Sequence, residues 1–410
     1  MLAPLAFILF AIVTAGVMAY GTHPDLARYA HGVDVICATR QLQWPLATAS
    51  VVFCMAVVAL VVTGRRRAWW LIGLAPVVSL FAHAFAIGPM HRFSIADEPH
   101  FVEAADTGFI NDDDYVVGLT FAERPLAFPY AALFNAPVVV QTDREQRLLL
   151  LWNPYANAAS TMLVDRTIRA TELDLVSMPA NALLIYNRRN GQFINGITGL
   201  TADGKRPSGV RSAVATQKMP WRKWRALHPD TRVMLPSLAT GPALPLVPAY
   251  PLPKALNDEP DVIVTLIHGS RPVAIAETPP LATVANFSAG ETAALLLPAT
   301  IAGQPVAFDR RVKDDLFPAF NIITADEKRG QMLIDADSAS LWTLDGRAVS
   351  GPLKGEQLQP LAVDTGLNYR IAKFWYPDLS LVTPEPPPTI TLPKAEPTPA
   401  PTRPRRRSAQ

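Results

Sequence analysis

Three uncharged apolar stretches open this chain and constrain what can follow them. They run from Met1 to about Tyr20, from about Pro45 to Thr63, and from Trp69 to about Ile87, with no Asp, Glu, Lys or Arg in any of them. Each approaches the ~20 residues a helix needs to cross a hydrocarbon core. The alternative for the first is a cleaved signal peptide. It has no basic leader and two further spans follow, which favours an uncleaved helix. Arg65, Arg66 and Arg67 fill the turn between the second and third stretches. Basic turns stay cytoplasmic, so the 21–44 loop and everything beyond about Met90 are expected on the outer side. Trp69 and Trp70 suit the aromatic belt of a membrane interface.

The remaining composition narrows the options. The chain has 410 residues and a net charge of +2, so no basic field argues for nucleic acid. Its 39 prolines oppose a mainly helical fold. Both cysteines, Cys37 and Cys54, precede the soluble part, with Cys37 read as a loop residue. That part therefore has no disulfide, thiolate metal site or thiol nucleophile.

From Asp112 the pattern becomes short apolar runs between turn residues: Tyr115–Phe121, Pro137–Gln141, Leu148–Trp152, Ala182–Tyr186 and Arg232–Leu235. These read as strands, with short helices at Pro129–Asn135 and Trp221–His228. The expected organisation is a three-helix anchor over 1–90, a connector over 91–111 and a first lobe over 112–236. A Pro-rich linker over 237–260, a second, repeat-like lobe over 261–383 and a disordered Pro/Arg-rich tail over 384–410 complete it. The fold class is thus three transmembrane α-helices followed by a mainly β (α+β) extracytoplasmic region of two similar lobes. Four ordered echoes support the repeat. Arg124-Pro125-Leu126-Ala127 returns as Arg271-Pro272-Val273-Ala274, and Asp165-Arg166 as Asp309-Arg310. Asp203-Gly204 returns as Asp345-Gly346, and Pro229-Asp230 as Pro377-Asp378. The plainer explanation is turn chemistry, since such dipeptides recur in any β protein.

Several clusters invite chemistry. Asp165-Arg166 and Asp309-Arg310 suit an anionic ligand, with Arg binding it through two hydrogen bonds. Trp152 and Tyr155 would line a sugar or peptide groove. The plainer readings are strand-end salt bridges and aromatic core. Asp112, Asp113 and Asp114 lack the spacing of a calcium loop and read as a solvated turn. His83 within the third stretch, with His23, His31 and His91 near outer ends of spans, would have to pair at matched depth to hold haem or metal. No metal site and no cofactor is expected. Nucleophile-elbow, Ser-x-x-Lys, zincin and P-loop signatures are absent.

The same repeated residues resemble the bacterial family known as domain of unknown function 3179. The resemblance rests on Asp113–Leu119, Arg124–Pro129, Asn153-Pro154, Asp165-Arg166, Ala182–Asn187, Gly191-Gln192, Gly196–Gly199, Trp221–Trp224 and His228–Thr231. It covers 112–236 well and 261–383 more loosely. Many members carry a Cys-Pro-x-Cys step where this chain has Asn153-Pro154-Tyr155-Ala156 and Leu297-Pro298-Ala299-Thr300. The resemblance implies an envelope location and no particular reaction.

Three functions remain in play. The first is a non-catalytic binding or scaffold module, partnered by the lipid bilayer and an envelope protein or polymer. The second is an envelope hydrolase with carboxylates such as Asp165 or Asp203 in an inter-lobe cleft. The third is a metal- or haem-handling protein built on the helix histidines. The topology itself is testable. A reporter fused after residue 67 is expected to behave as cytoplasmic, and one after residue 383 as periplasmic; the reverse pattern would refute the assigned direction.

Overall fold

A computed structural model describes residues 2–87, 89–237, 241–269, 271–289, 292–313, 316–324, 330–385 and 388. The expected disordered tail lies outside these from residue 389 onward. The chain forms two compact units. The first runs to Leu281 and takes in 289–292 and Leu361–Thr383; the second comprises Ala282–Ser288, Ala293–Pro360 and the chain from Pro384.

The first unit opens with α1 (Leu2–Tyr20), α2 (Gly32–Gln41) and α3 (Gln43–Val62). A third apolar helix follows as a 3-10 stretch (Ala68–Leu74), α4 (Ala75–Ala82) and a π-helical turn (His83–Ile87). Pro76 has no N–H for a regular ladder, and the 3-10 geometry sits just before it. Three helical stretches, Ala3–Tyr20, Gln43–Val62 and Ala68–Ala86, are long and apolar enough to cross a membrane. Ala11 and Ala15 are fully buried and let α3 approach α1 closely, and Ser50 Oγ donates to Ala11 O at 3.0 Å.

Helix α2 corrects the reading of 21–44 as a plain loop, and Cys37 lies within it. At ten residues it is too short to be stable alone. Tertiary packing holds it: Ile36 is fully buried against Val176, Leu184 and Phe193.

From Ile95 the chain is strand-rich. The strands are β1 (Ile95–Asp97), β2 (Phe101–Glu103), β3 (Tyr115–Phe121) and β4 (Arg124–Pro129), followed by helix α5 (Tyr130–Leu133). Next come β5 (Val138–Asp143), β6 (Gln146–Asn153), β7 (Ala158–Val164), β8 (Leu173–Ser177), β9 (Leu184–Asn187) and β10 (Gln192–Asn195). Then follow β11 (Val210–Ala213), β12 (Gln217–Pro220), helix α6 (Trp221–Leu227) and β13 (Arg232–Met234). They make three sheets, ordered β1-β5-β6-β7-β11, β12-β3-β4-β13-β2 and β10-β9-β8. The expected strand Tyr115–Phe121 coincides with β3, and the 91–111 segment supplies β1 and β2.

Beyond Pro260 lie β14 (Ile263–His268) and β15 (Pro272–Ala276). The second unit holds β16 (Ala285–Ala289), β17 (Thr292–Leu297), helix α7 (Ala299–Ala302), β18 (Val306–Asp309), β19 (Phe320–Thr324), β20 (Gln331–Asp335), β21 (Leu341–Trp342) and β22 (Ala348–Ser350). Its core is Leu295, Leu297, Phe308, Phe320, Leu333 and Trp342. The chain then re-enters the first unit through β23 (Gln359–Asn368), helix α8 (Tyr369–Trp375) and β24 (Ser380–Leu381). Two arrangements in this unit share one connectivity. Beside the β3–β4 hairpin, β12 runs antiparallel to β3, and after α6 strand β13 runs parallel to β4. Beside the β14–β15 hairpin, β23 runs antiparallel to β14, and after α8 strand β24 runs parallel to β15.

Close packing fixes one glycine. A Cβ on Gly118, mid-strand in β3, would lie 2.3 Å from Trp224 Cε3. The fully buried indole is held by its Nε1 donating to Thr231 Oγ1 at 2.9 Å, so it cannot retreat freely. Gly118→Ala is therefore expected to destabilise the full chain by ~1–3 kcal/mol. Thermal unfolding in detergent checks this, and an unchanged midpoint would refute it.

Candidate functional site

Most of the residues singled out from sequence are engaged by other protein groups. Asp165 takes hydrogen bonds from the backbone N and hydroxyl of Thr167, which hold its carboxyl below the usual carboxylate range, while Arg166 is exposed. Asp309 accepts from Arg311 N at 2.8 Å. Arg310 is buried, donating through Nη2 to Ser288 Oγ at 2.8 Å and Phe287 O at 3.3 Å, with Glu385 at 3.5 Å. Trp152 is fully buried against Tyr130, ring centroids 4.7 Å apart. Tyr155 accepts from Arg92 Nη2 at 2.6 Å and meets Tyr250 edge to face. The Asp165 and Asp309 pairs belong to different compact units. Asp112 and Asp113 pair with Arg225 and Arg222 on α6.

Asn153, where the resemblance places the family's first cysteine, is a buried staple. Its Nδ2 donates to Ala158 O at 3.0 Å and Gly196 O at 2.7 Å, and its Oδ1 accepts from Leu183 N at 2.7 Å.

Within the first unit, the strongest departures from ordinary protein chemistry converge on one buried polar centre that sequence reading missed. The Lys218 side chain, on β12, is only 3% exposed, and its Nζ lies 2.5 Å from Asp364 Oδ1 on β23. The ammonium also donates to Asn157 O. Asn157 Oδ1 accepts from Tyr130 OH at 2.7 Å, and its Nδ2 donates to Gly366 O at 3.1 Å. Glu277 Oε1 accepts from Gly366 N at 2.7 Å and from Thr265 Oγ1 at 3.0 Å. A bulge makes this possible. Val264 pairs with Leu367 but Leu266 with Asp364, so β23 carries one extra residue there, and Gly366 takes φ +74°. A Cβ at Gly366 would strike Asn157 Nδ2 at 2.6 Å.

Desolvation dominates the electrostatics of this centre. Burial pushes the Lys218 ammonium below the usual lysine range, opposed by attraction to Asp364. Burial likewise lowers His268, again opposed by Asp364, and raises the phenols of Tyr130 and Tyr376, helped by the Asp364 charge. The signal in the sequence was faint: a lone Asp in the apolar run of β23 and a lone Lys in a four-residue strand.

A second feature is a cavity of about 350 Å³, where the C-terminal end of α1, the N-terminal end of α3 and the π turn meet β8. Met18, Met90, Phe93 and Leu175 give it an apolar side. Thr39, Arg40, Gln43, Asp174 and the histidines 23, 83 and 91 give it a polar one. Three of the four histidines noted in the sequence thus share one cavity; His31 is exposed beside Asp34. His83 stacks on Tyr20 and His91 meets Ala84 O at 3.1 Å. No cluster of three metal-ligating side chains occurs among the described residues.

Residues 94–378, more than half of the chain, match the family described as protein of unknown function (DUF3179). The chain belongs to the DUF3179 family. Both features above are built on that domain, with the cavity walled also by the helices in front of it. No curated protein and no solved structure matches this DUF3179 chain.

Removing one partner of a sealed ion pair strands the other. Lys218→Met is expected to destabilise the chain by ~3–5 kcal/mol, and Lys218→Met with Asp364→Leu by less than the single change. Equal or additive losses in thermal unfolding would refute this. His268 adds a pH dependence. Its folded pKa is depressed, so below about pH 6.5 the unfolded chain binds a proton the folded chain refuses. Stability should fall as pH drops from there, and less steeply in His268→Gln; coincident slopes would refute it.

Proposed function

We propose that this protein is a membrane-anchored, extracytoplasmic binding module of the bacterial envelope, and that its ligand enters the cavity at the outer ends of the apolar helices. The anchor reading is supported by the three spans, by the arginines at 65–67 and by the exposed apolar side chains along them, such as Phe10, Val52, Met55 and Ile72. The outward direction follows from the basic turn. The echoed motifs and the shared hairpin–strand–helix–strand connectivity support a duplicated origin for the two hairpin arrangements, hence two related lobes.

One observation carries the choice of site. The Lys218–Asp364 centre of the first unit is sealed and internally partnered, whereas the cavity at the helix ends has polar and apolar walls drawn from both the anchor and the domain. A carboxyl that serves as general acid near neutral pH needs a raised pKa. Asp203 is the opposite: Lys205 and then Thr201 hold its carboxyl at about 2, in full solvent. Asp165 is also lowered. A non-catalytic role therefore fits best.

A photo-crosslinking amino acid placed at Leu175, in the cavity wall, is expected to capture an occupant in living cells, and one at Glu123, on the exposed β3–β4 turn, is not. No adduct from position 175 would overturn the binding reading.

A further inference from the structure

The cavity's chemistry specifies more than a generic ligand. Its charged wall is Arg40 on α2, whose Nη2 pairs with Asp174 on β8. Arg188 Nε also approaches Asp174, at 3.5 Å. Two guanidinium groups therefore share one carboxylate, and Asp174 is the only carboxylate among the described lining residues. Arg188 lies outside the lining, whose own charges are one Arg and one Asp; because Asp174 also serves Arg188, Arg40 is left incompletely neutralised, which favours an anion.

Hydrogen-bonding capacity is also left over. Arg40 Nε is a donor without a partner, and Gln43 Oε1 an acceptor without one, both on cavity-lining side chains. Buried polar atoms in folded proteins are almost always satisfied, so two such atoms beside one cavity point to a missing partner. Both are shielded from water, so a ligand reaches them through a shift of the two side chains. The partner must accept at one end and donate at the other.

Location supplies the final constraint. Part of the lining is made by the ends of apolar helices, with Met18, Ala19 and Ala84 in it. The π turn beginning at His83 departs from regular helix there, as such turns do at functional sites. The volume of about 350 Å³ lies near the low end of ligand pockets, room for a headgroup and not for acyl chains. We infer that this cavity binds the headgroup of an anionic, hydroxyl-bearing glycerophospholipid of the phosphatidylglycerol type, its acyl chains remaining along the helices. The phosphodiester accepts from Arg40, and the headgroup hydroxyl donates to Gln43. An ethanolamine headgroup would bring an ammonium towards the incompletely neutralised Arg40 guanidinium, and choline offers no strong donor.

This inference rests on the membrane-anchored reading and is tested separately from it. Full-length protein in mild detergent, stripped of lipid, would be titrated with phosphatidylglycerol, phosphatidylethanolamine and phosphatidylcholine of matched chains, and with free sn-glycerol 3-phosphate. Native mass spectrometry counts bound lipid. One phosphatidylglycerol is expected to bind about tenfold or more tightly than the other lipids, and to be weakened about tenfold in Gln43→Leu and in Arg40→Met. If Arg40→Met does not fold, Gln43→Leu with an unchanged lipid-free melting midpoint decides alone. Equal binding of the three lipids overturns the inference, as does binding insensitive to both substitutions. Free glycerol phosphate binding as tightly as the lipid overturns the lipid source. A non-lipid adduct captured from position 175 would overturn this inference while leaving the binding reading intact.

Discussion

An ammonium taken out of water must find compensation on every side, and Lys218 sets that requirement at the centre of the first unit. Its carboxylate partner comes from β23, almost 150 positions later in the chain, and its carbonyl partner from the turn before β7. An ion pair at this depth contributes little net stability by itself, because desolvation of both charges offsets their attraction. What it enforces is specificity. Only an arrangement that brings β12, β23 and the Asn157 turn together leaves no charge stranded. The Gly366 bulge, the Glu277 carboxylate and the Tyr130 hydroxyl then arrange the remaining donors and acceptors around it.

The apolar packing around that centre has the same long-range character. Val264, Leu266, Ala274 and Leu367 pack with Ala156, Ala158, Ala182 and Ile197. Residues of the 261–281 and 361–383 segments therefore share one core with the earlier strands. The 282–360 region, interrupted at 289–292, closes around its own aromatic core of Phe308, Phe320 and Trp342. The compact units thus follow contacts rather than order along the chain.

The N-terminal helices are joined to the strand-rich domain by more than a tether. Ile36 buries into the β8–β10 sheet, Ser177 Oγ donates to Thr22 O at 2.7 Å, and Arg40 bonds to Asp174. Each of these contacts lies beside the cavity at the helix ends. An occupant there would touch both parts at once, which suits a domain whose position against its helices matters.

Local chemistry was legible in the sequence because it is written in adjacent residues. Apolar length marked the three long helices, alternation and turn residues marked β3 and α6, and the family motifs marked the domain. The basic turn at 65–67 gave a direction to test. Helix α2 was not legible, because ten mixed residues become helical only when Ile36 has a sheet to bury against. Nor was either site. Lys218 and Asp364 look like ordinary surface charges in one dimension, as do Arg40 and Asp174, 134 positions apart. By itself the sequence determined which segments are apolar, which are strands and which chemistries lack their residues. Tertiary structure alone decided which charges leave water and which histidines share a cavity, because burial depends on contacts between segments that the order of residues does not record.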